Sequence, residues 1–99
     1  MARVELRPFT ADDLPAAGTL LSRRHARQRE VVPYLSPRYE DPAVAEDEVR
    51  KVWDADGASG AVALAGADVV GYLLGAPKPS RTWGPNLWVE AAGHAVATA

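Results

Sequence analysis

The chain has 99 residues, of which 47% are hydrophobic and 24% charged, and its formal net charge at pH 7 is −2. This length allows one domain at most, and the composition is that of an ordinary globular protein. The slightly acidic balance argues against a general nucleic-acid binder, which would be basic. The lack of cysteine excludes disulfides and thiolate metal sites and favours a reducing compartment.

No targeting or membrane segment is expected from the pattern of apolar residues. Residues 1–7 are charged throughout, which does not match the apolar stretch of a signal peptide. The most apolar window, residues 60–76, is interrupted by Asp68 and several glycines and is shorter than the ~18 residues that a membrane span needs. We therefore expect a cytoplasmic protein with no membrane partner.

Alternating apolar and charged residues predict a first strand at residues 4–9, with Val4 and Leu6 on one side. A first helix follows, because residues 10–13 offer the acceptor and acidic side chains that helix starts prefer. Apolar residues at helical spacing extend this helix over residues 12–29. Gly18 should weaken it by about 1 kcal/mol relative to alanine.

Several basic residues lie toward the end of the first helix. They permit two interpretations: a solvated helix terminus whose cations complement the helix dipole, or a patch for an anion, an acidic partner or nucleic acid. The acidic net charge favours the first interpretation, so a nucleic-acid partner is not expected. The residues are Arg23, Arg24, His25, Arg27 and Arg29.

The second half of the chain continues the mixed pattern. Residues 31–40 contain two prolines and are predicted to form an ordered loop. Asp41 and Pro42 begin a second helix, predicted over residues 42–55. Two apolar runs around a short turn predict a β-hairpin at residues 61–76, and a short fourth strand is predicted at residues 87–90. The predicted fold class is α/β (α+β), in the order strand-helix-helix-strand-strand-strand, with a partly antiparallel sheet.

Several catalytic or metal-binding motifs are missing from the sequence. The two histidines, His25 and His94, lie far apart with no thiols nearby, so no metal site is predicted. No phosphate-binding P-loop motif is present. The run from Gly57 to Gly60 does not match the G-x-S-x-G nucleophile motif, and it is predicted to form a turn.

One family resemblance emerges from the order of the motifs. The run Leu6-Arg-Pro-Phe-Thr10, followed by Asp13-Leu-Pro15, resembles the opening of GNAT-superfamily acetyltransferase domains. The hairpin from Ala63 to Gly75 is similar to the second and third strands of that family. The resemblance implies a single partial domain over residues 1–99, matching the N-terminal half of an acyl-CoA N-acyltransferase fold. It also implies acetyl-CoA as cofactor and a small-molecule or protein amine as acceptor.

In that family, an R/Q-x-x-G-x-G/A loop opens a helix, and its backbone N–H groups hold the acetyl-CoA pyrophosphate. This sequence has only a near match, R-x-x-G-x-N, which begins at Arg81 and contains Gly84. Pro85 follows Gly84 and removes one of the donors on which such a loop depends. We therefore predict a strand-connecting turn here, no tight binding of acetyl-CoA, and no catalysis by the isolated chain.

The resemblance also assigns candidate site residues. Tyr34, Tyr39 and Trp83 would face the acceptor substrate, although packing within loops is the alternative role for these aromatic side chains. Glu90 follows the predicted fourth strand and is the candidate general base, a role that would require a raised pKa near neutral pH.

A non-enzymatic function is the alternative to an acetyltransferase. The same strands and helices would then form a small interaction module, in which an exposed sheet edge pairs with a partner or with a second copy of the chain.

Overall fold

A computed structural model describes residues 4–77, 87–89 and 91–97. Within these ranges the chain is a mixture of helices and antiparallel strands, which confirms the predicted α+β class at that level. The helices are α1 (Leu14–Val31) and α2 (Pro42–Trp53). The strands are β1 (Val4–Pro8), β2 (Ser59–Ala65), β3 (Asp68–Pro77), β4 (Leu87–Trp88) and β5 (His94–Val96).

Helix α1 is preceded by a tight 3-10 turn, Ala11–Asp13, instead of starting at residue 12 as predicted. The difference follows from Pro15, which has no N–H with which to close an α-helical turn in the first residues. The Asp13 carboxylate accepts a hydrogen bond from the backbone N–H of Thr10 at 2.8 Å. At the other end, α1 runs two residues beyond the predicted residues 12–29, and the N–H of Val32 still donates to Gln28.

Helices α1 and α2 pack against each other at a point where α1 carries no side chain. A Cβ built on Gly18 would lie 2.7 Å from the Cα of Glu46 and 2.8 Å from its backbone nitrogen. Only glycine permits this approach of the two helix backbones. Asp41 caps the start of helix α2, because its side chain accepts from the N–H of Ala43 at 2.9 Å. The helix ends at Trp53, before the predicted residue 55.

The sheet has the order β1-β2-β3-β4, and each of these neighbouring pairs is antiparallel. Strands β2 and β3 form the predicted hairpin, with Gly66 at φ +63° in the turn, although its strands extend slightly beyond residues 61–76. The far side of β3 is paired at one end by β4 and at the other by β5, where Tyr72 lies opposite Ala95. Strand β5 and the short 3-10 turn before it, Ala91–Gly93, were not predicted from the sequence.

The core lies between the two helices and one face of the sheet. Phe9 contacts both Trp53 and Tyr72, with ring centroids 5.1 and 6.2 Å apart. The remaining core residues come from both helices and from strands β2, β3 and β5: Leu14, Ala17, Leu20, Leu21, Ala45, Val49, Val52, Val62, Leu74 and Ala95.

The opposite face of the sheet carries no helix among the residues that the structure describes. Leu6, Leu73 and Val96 project from it and are 75%, 54% and 62% exposed. The sheet is therefore covered on one side only in the described part of the chain, and β1 forms one of its edges.

Candidate functional site

The sequence analysis singled out residues in two regions, and the structure describes one of them. Arg81, Trp83, Gly84 and Glu90 lie outside the described residues. Tyr34 and Tyr39 both lie in the loop between α1 and α2, which includes a 3-10 turn at Pro37–Glu40. This connection, with the end of α1 beside it, is therefore the candidate site that can be built from atomic contacts.

The two tyrosines have different surroundings. The ring of Tyr39 meets the edge of the His25 ring at 5.4 Å, and the guanidinium of Arg38 lies 5.7 Å from the Tyr39 centroid. Tyr39 is thus packed into the loop. Tyr34 is 89% exposed and projects into solvent, so of the two it is the ring that a bound molecule could contact.

The loop is tied to α1 by polar contacts from two helical side chains. The Nε of Arg29 donates to the carbonyl oxygen of Leu35 at 2.9 Å, and its Nη1 lies 2.6 Å from a carboxylate oxygen of Glu40. His25 donates from Nε2 to the carbonyl oxygen of Ser36 at 2.5 Å. These bonds fix the shape of the loop, because they hold both its middle and its end.

Two further arginines of α1 reach the last strand of the sheet. Arg24 donates to the carbonyl oxygen of His94, and Arg27 donates to that of Val96 at 3.3 Å. Neither interpretation of the arginine cluster foresaw this role. Arg24, Arg27 and Arg29 hold α1 against other parts of the same chain, which a solvated helix end or an open anion patch would not do.

A shallow cleft lies between the last turns of α1 and the residue that follows β5. Its volume is about 290 Å³, and its described lining residues are Leu20, Arg23, Ala26, Arg27 and Ala97. The arginines are one helical turn apart, so both reach the same side of α1. Among these described lining residues only Arg23 and Arg27 are charged, and none has a carboxylate, imidazole or hydroxyl group that could act as an acid, base or nucleophile.

The described helix starts do not suit a diphosphate. Helix α1 follows Asp12 and Asp13 and has Pro15 in its first turn, and α2 follows Asp41 and starts with Pro42. The aspartates repel an anion at the positive end of each helix, and the prolines remove donors. Neither described helix start therefore favours a bound anion.

Acidic and histidine side chains in the described part of the chain do not form a metal-binding cluster. No group of three His, Asp or Glu side chains comes together there to hold a metal ion. Burial raises the pKa of Tyr72 to about 12, an effect that the charge of Arg24 partly offsets. The Tyr72 hydroxyl donates to the carbonyl oxygen of Ala92 at 2.8 Å, so it anchors the turn before β5.

Sequence reasoning missed the arginine contacts to β5 and the ion pair between Arg7 and Asp13. The pair had a local signal, since Asp13 lies three residues after Thr10 at a helix start and Arg7 is the second-to-last residue of β1. The contact of Arg24 had no local sequence signal, because its partner His94 is 70 residues away.

Comparison with known proteins does not identify a relative. No protein-family model matches the sequence, and no curated protein matches it significantly. Across the residues described by the structure, neither helix combines the length and apolar character that crossing a bilayer demands.

Proposed function

We propose that this chain is a GNAT-like acetyltransferase-family unit that forms the acceptor-binding half of an acyl-CoA N-acyltransferase fold. The observation that carries the proposal is the combination of element order and sheet order. A strand, two helices and four further strands follow one another, and the sheet has the order β1-β2-β3-β4, with β5 also paired to β3 and both helices packed on the core. The sequence motifs at the start of α1 and in the β2–β3 hairpin agree with this order.

The acceptor would be an amine, on a small molecule or on a protein, and it would bind beside the loop between α1 and α2. Tyr34 is the aromatic ring exposed to it, whereas Tyr39 and His25 support the loop from within. Arg29 fixes the loop to the helix through Leu35 and Glu40. Trp83 joins this surface only by the family resemblance.

The isolated chain would not catalyse acetyl transfer. The sequence has no complete pyrophosphate loop, and both described helix starts combine aspartate with proline. We therefore assign no catalytic step to these residues, and Glu90 stays a candidate base by its sequence position alone. Acetyl transfer by such a protein would take place in the cytoplasm, where the cysteine-free composition fits a reducing environment.

The transcript that encodes these 99 residues tests this proposal. The transcript is sequenced past codon 99, and its whole product is purified and titrated with acetyl-CoA. We expect a frame that encodes R/Q-x-x-G-x-G/A and a following helix, and a product that binds acetyl-CoA at one site. A transcript with no such segment in any downstream frame would contradict the proposal.

The amine surface needs a separate test on the same product. Tyr34→Ala should raise KM for the amine acceptor with little change in kcat, because Tyr34 contacts the acceptor and holds no part of the fold. Val31→Ala is the matched control, since Val31 is also highly exposed, at 83%, and lies at the end of α1. Equal effects of the two substitutions would remove Tyr34 from the acceptor site.

A further inference from the structure

The outer edge of β1 has a regular row of backbone groups directed away from the sheet. In the described chain β1 pairs with β2 alone, and the N–H of Phe9 donates to the carbonyl oxygen of Gly60 at 3.0 Å in continuation of that pairing. Because hydrogen-bonding direction alternates along a strand, Phe9, Arg7 and Glu5 face β2 with their backbone groups. The N–H and C=O groups of Val4 and Leu6 therefore point outward.

The apolar side chains of β1 lie on one face of the sheet and its charged side chains on the other. Val4 and Leu6 are 57% and 75% exposed on the face without helices. Glu5 and Arg7 lie on the other face, where Arg7 reaches Asp13. The edge thus has two apolar residues on one face and one charge of each sign on the other.

We propose that β1 pairs antiparallel with β1 of a second copy of this chain, on a twofold axis that passes through Leu6. Two hydrogen bonds would join the Leu6 residues of the two copies, and each Val4 N–H would donate to the Pro8 carbonyl of the other copy. Leu6 would pack beside Leu6 of the second copy, and Val4 beside its Pro8. The two sheets would join into one continuous sheet.

The charges on β1 favour this strand register over the registers in which the axis is shifted by one residue in either direction. With the axis at Leu6, Glu5 of each copy lies directly opposite Arg7 of the other, which is favourable. Moving the axis to Glu5 would place two glutamates opposite each other, and moving it to Arg7 would place two arginines opposite each other. Both alternatives set like charges at the closest cross-strand distance.

Arg7 has enough N–H groups to bind Asp13 of its own copy and Glu5 of the second copy at the same time. The guanidinium of Arg7 has five N–H groups, and it donates two hydrogen bonds to Asp13 and one to the carbonyl oxygen of Pro8. The Pro8 oxygen has a second lone pair to accept from Val4 of the other copy. Pro8 has no N–H of its own, and because it lies on an outward-facing position this causes no loss in the monomer.

Pairing through β1 is closed at two copies. A twofold axis uses the same edge of each copy, so no free β1 edge is left to add a third chain. This distinguishes the proposed dimer from open-ended strand aggregation. The inference does not depend on the proposed acetyltransferase function, since it uses β1 and none of the loop or cleft residues.

Sedimentation velocity over a range from about 5 µM to about 500 µM tests the dimer. We expect a reversible shift from 10.5 kDa to twice that mass. Leu6→Lys should raise the dissociation constant by at least about tenfold, because it sets two ammonium groups face to face on the axis. Leu73→Lys is the matched control, since Leu73 is exposed on the same face but lies in the middle of the sheet. A monomer at every concentration, or equal weakening by both substitutions, would overturn the edge pairing.

Cross-linking tests the register directly. Because the chain has no cysteine, Leu6→Cys introduces a single thiol. In the proposed register the two thiols would be at a separation that a disulfide can bridge, about 5.5 Å between Cα atoms. Mild oxidation should then give a covalent dimer from Leu6→Cys and little from Leu73→Cys. Equal cross-linking of the two variants would overturn the register.

Discussion

Arg7 and Asp13 form a paired hydrogen bond that ties the end of β1 to the start of α1. Nη1 of Arg7 lies 2.8 Å from one carboxylate oxygen of Asp13, and Nη2 lies 2.7 Å from the other. The same carboxylate accepts the N–H of Thr10. The side chain of Asp13 is buried, and its hydrogen bonds from Arg7 and Thr10 outweigh the burial and lower its pKa below the ordinary value of 3.8.

Asp13→Asn should lower the free energy of unfolding by about 2 kcal/mol, because a neutral amide cannot accept both Arg7 bonds and the Thr10 bond. Chemical denaturation at pH 7 measures the change. Asp12→Asn is the control, since Asp12 is exposed in the same turn, and it should change stability by less than about 0.5 kcal/mol. Equal losses in both variants would assign the effect to the general charge of the turn.

The stability contributed by Asp13 should depend on pH in the acid range. Its folded-state pKa is lowered, so the unfolded chain binds the proton more readily and the contribution is complete above the ordinary pKa of 3.8. It is lost as the pH falls through the lower folded value. The stability difference between the wild type and Asp13→Asn should therefore shrink as the pH falls from about 5 to about 2. A constant difference over this range would contradict the assignment.

Gly18→Ala should destabilise the protein by about 1 to 3 kcal/mol, although helix propensity alone predicts a gain of about 1 kcal/mol. The new methyl group would press on the backbone of Glu46 and force α1 and α2 apart. Ala16→Gly on the same helix is the control for propensity and should cost about 1 kcal/mol. A stabilised Gly18→Ala variant would show that the helices do not approach so closely.

Gly18 also shows what local pattern can and cannot predict. From the sequence, Gly18 could be interpreted only as a residue that lowers the stability of α1. Its packing role could not be predicted, because the residue that approaches it, Glu46, lies on α2. The strands, helices and hairpin were predictable, since each has its own apolar period and its own end signals. Strand β5 could not be predicted, because three residues are too few to show an alternating apolar pattern. Its contacts with Arg24 and Arg27 also join residues that are far apart in the sequence.

The candidate site also has one part that the sequence could predict and one part that it could not. The loop with Tyr34 and Tyr39 could be located from its prolines, but only the structure shows that Tyr39 packs on His25 while Tyr34 is exposed. The arginine contacts were missed because charge patterning along a helix does not show which backbone carbonyls lie within reach.

Tyr72→Phe should lower the free energy of unfolding by about 1 kcal/mol at neutral pH, because the carbonyl of Ala92 loses its donor. The wild type should also lose stability as the pH rises from about 10 to about 12. The raised pKa keeps the hydroxyl protonated in the folded state while the unfolded chain releases its proton from pH 10.0 upward. The variant should lack this part of the alkaline decline, and an unchanged decline would contradict the burial of the hydroxyl.

Calorimetric titration of the 99-residue chain with acetyl-CoA tests most directly whether these residues form a cofactor site. The two described helix starts do not suit a diphosphate, and the sequence lacks a complete R/Q-x-x-G-x-G/A motif. We therefore expect no saturable heat up to about 1 mM ligand, a limit that corresponds to binding weaker than about −4 kcal/mol. Saturable binding at a single site with a micromolar dissociation constant would contradict the account.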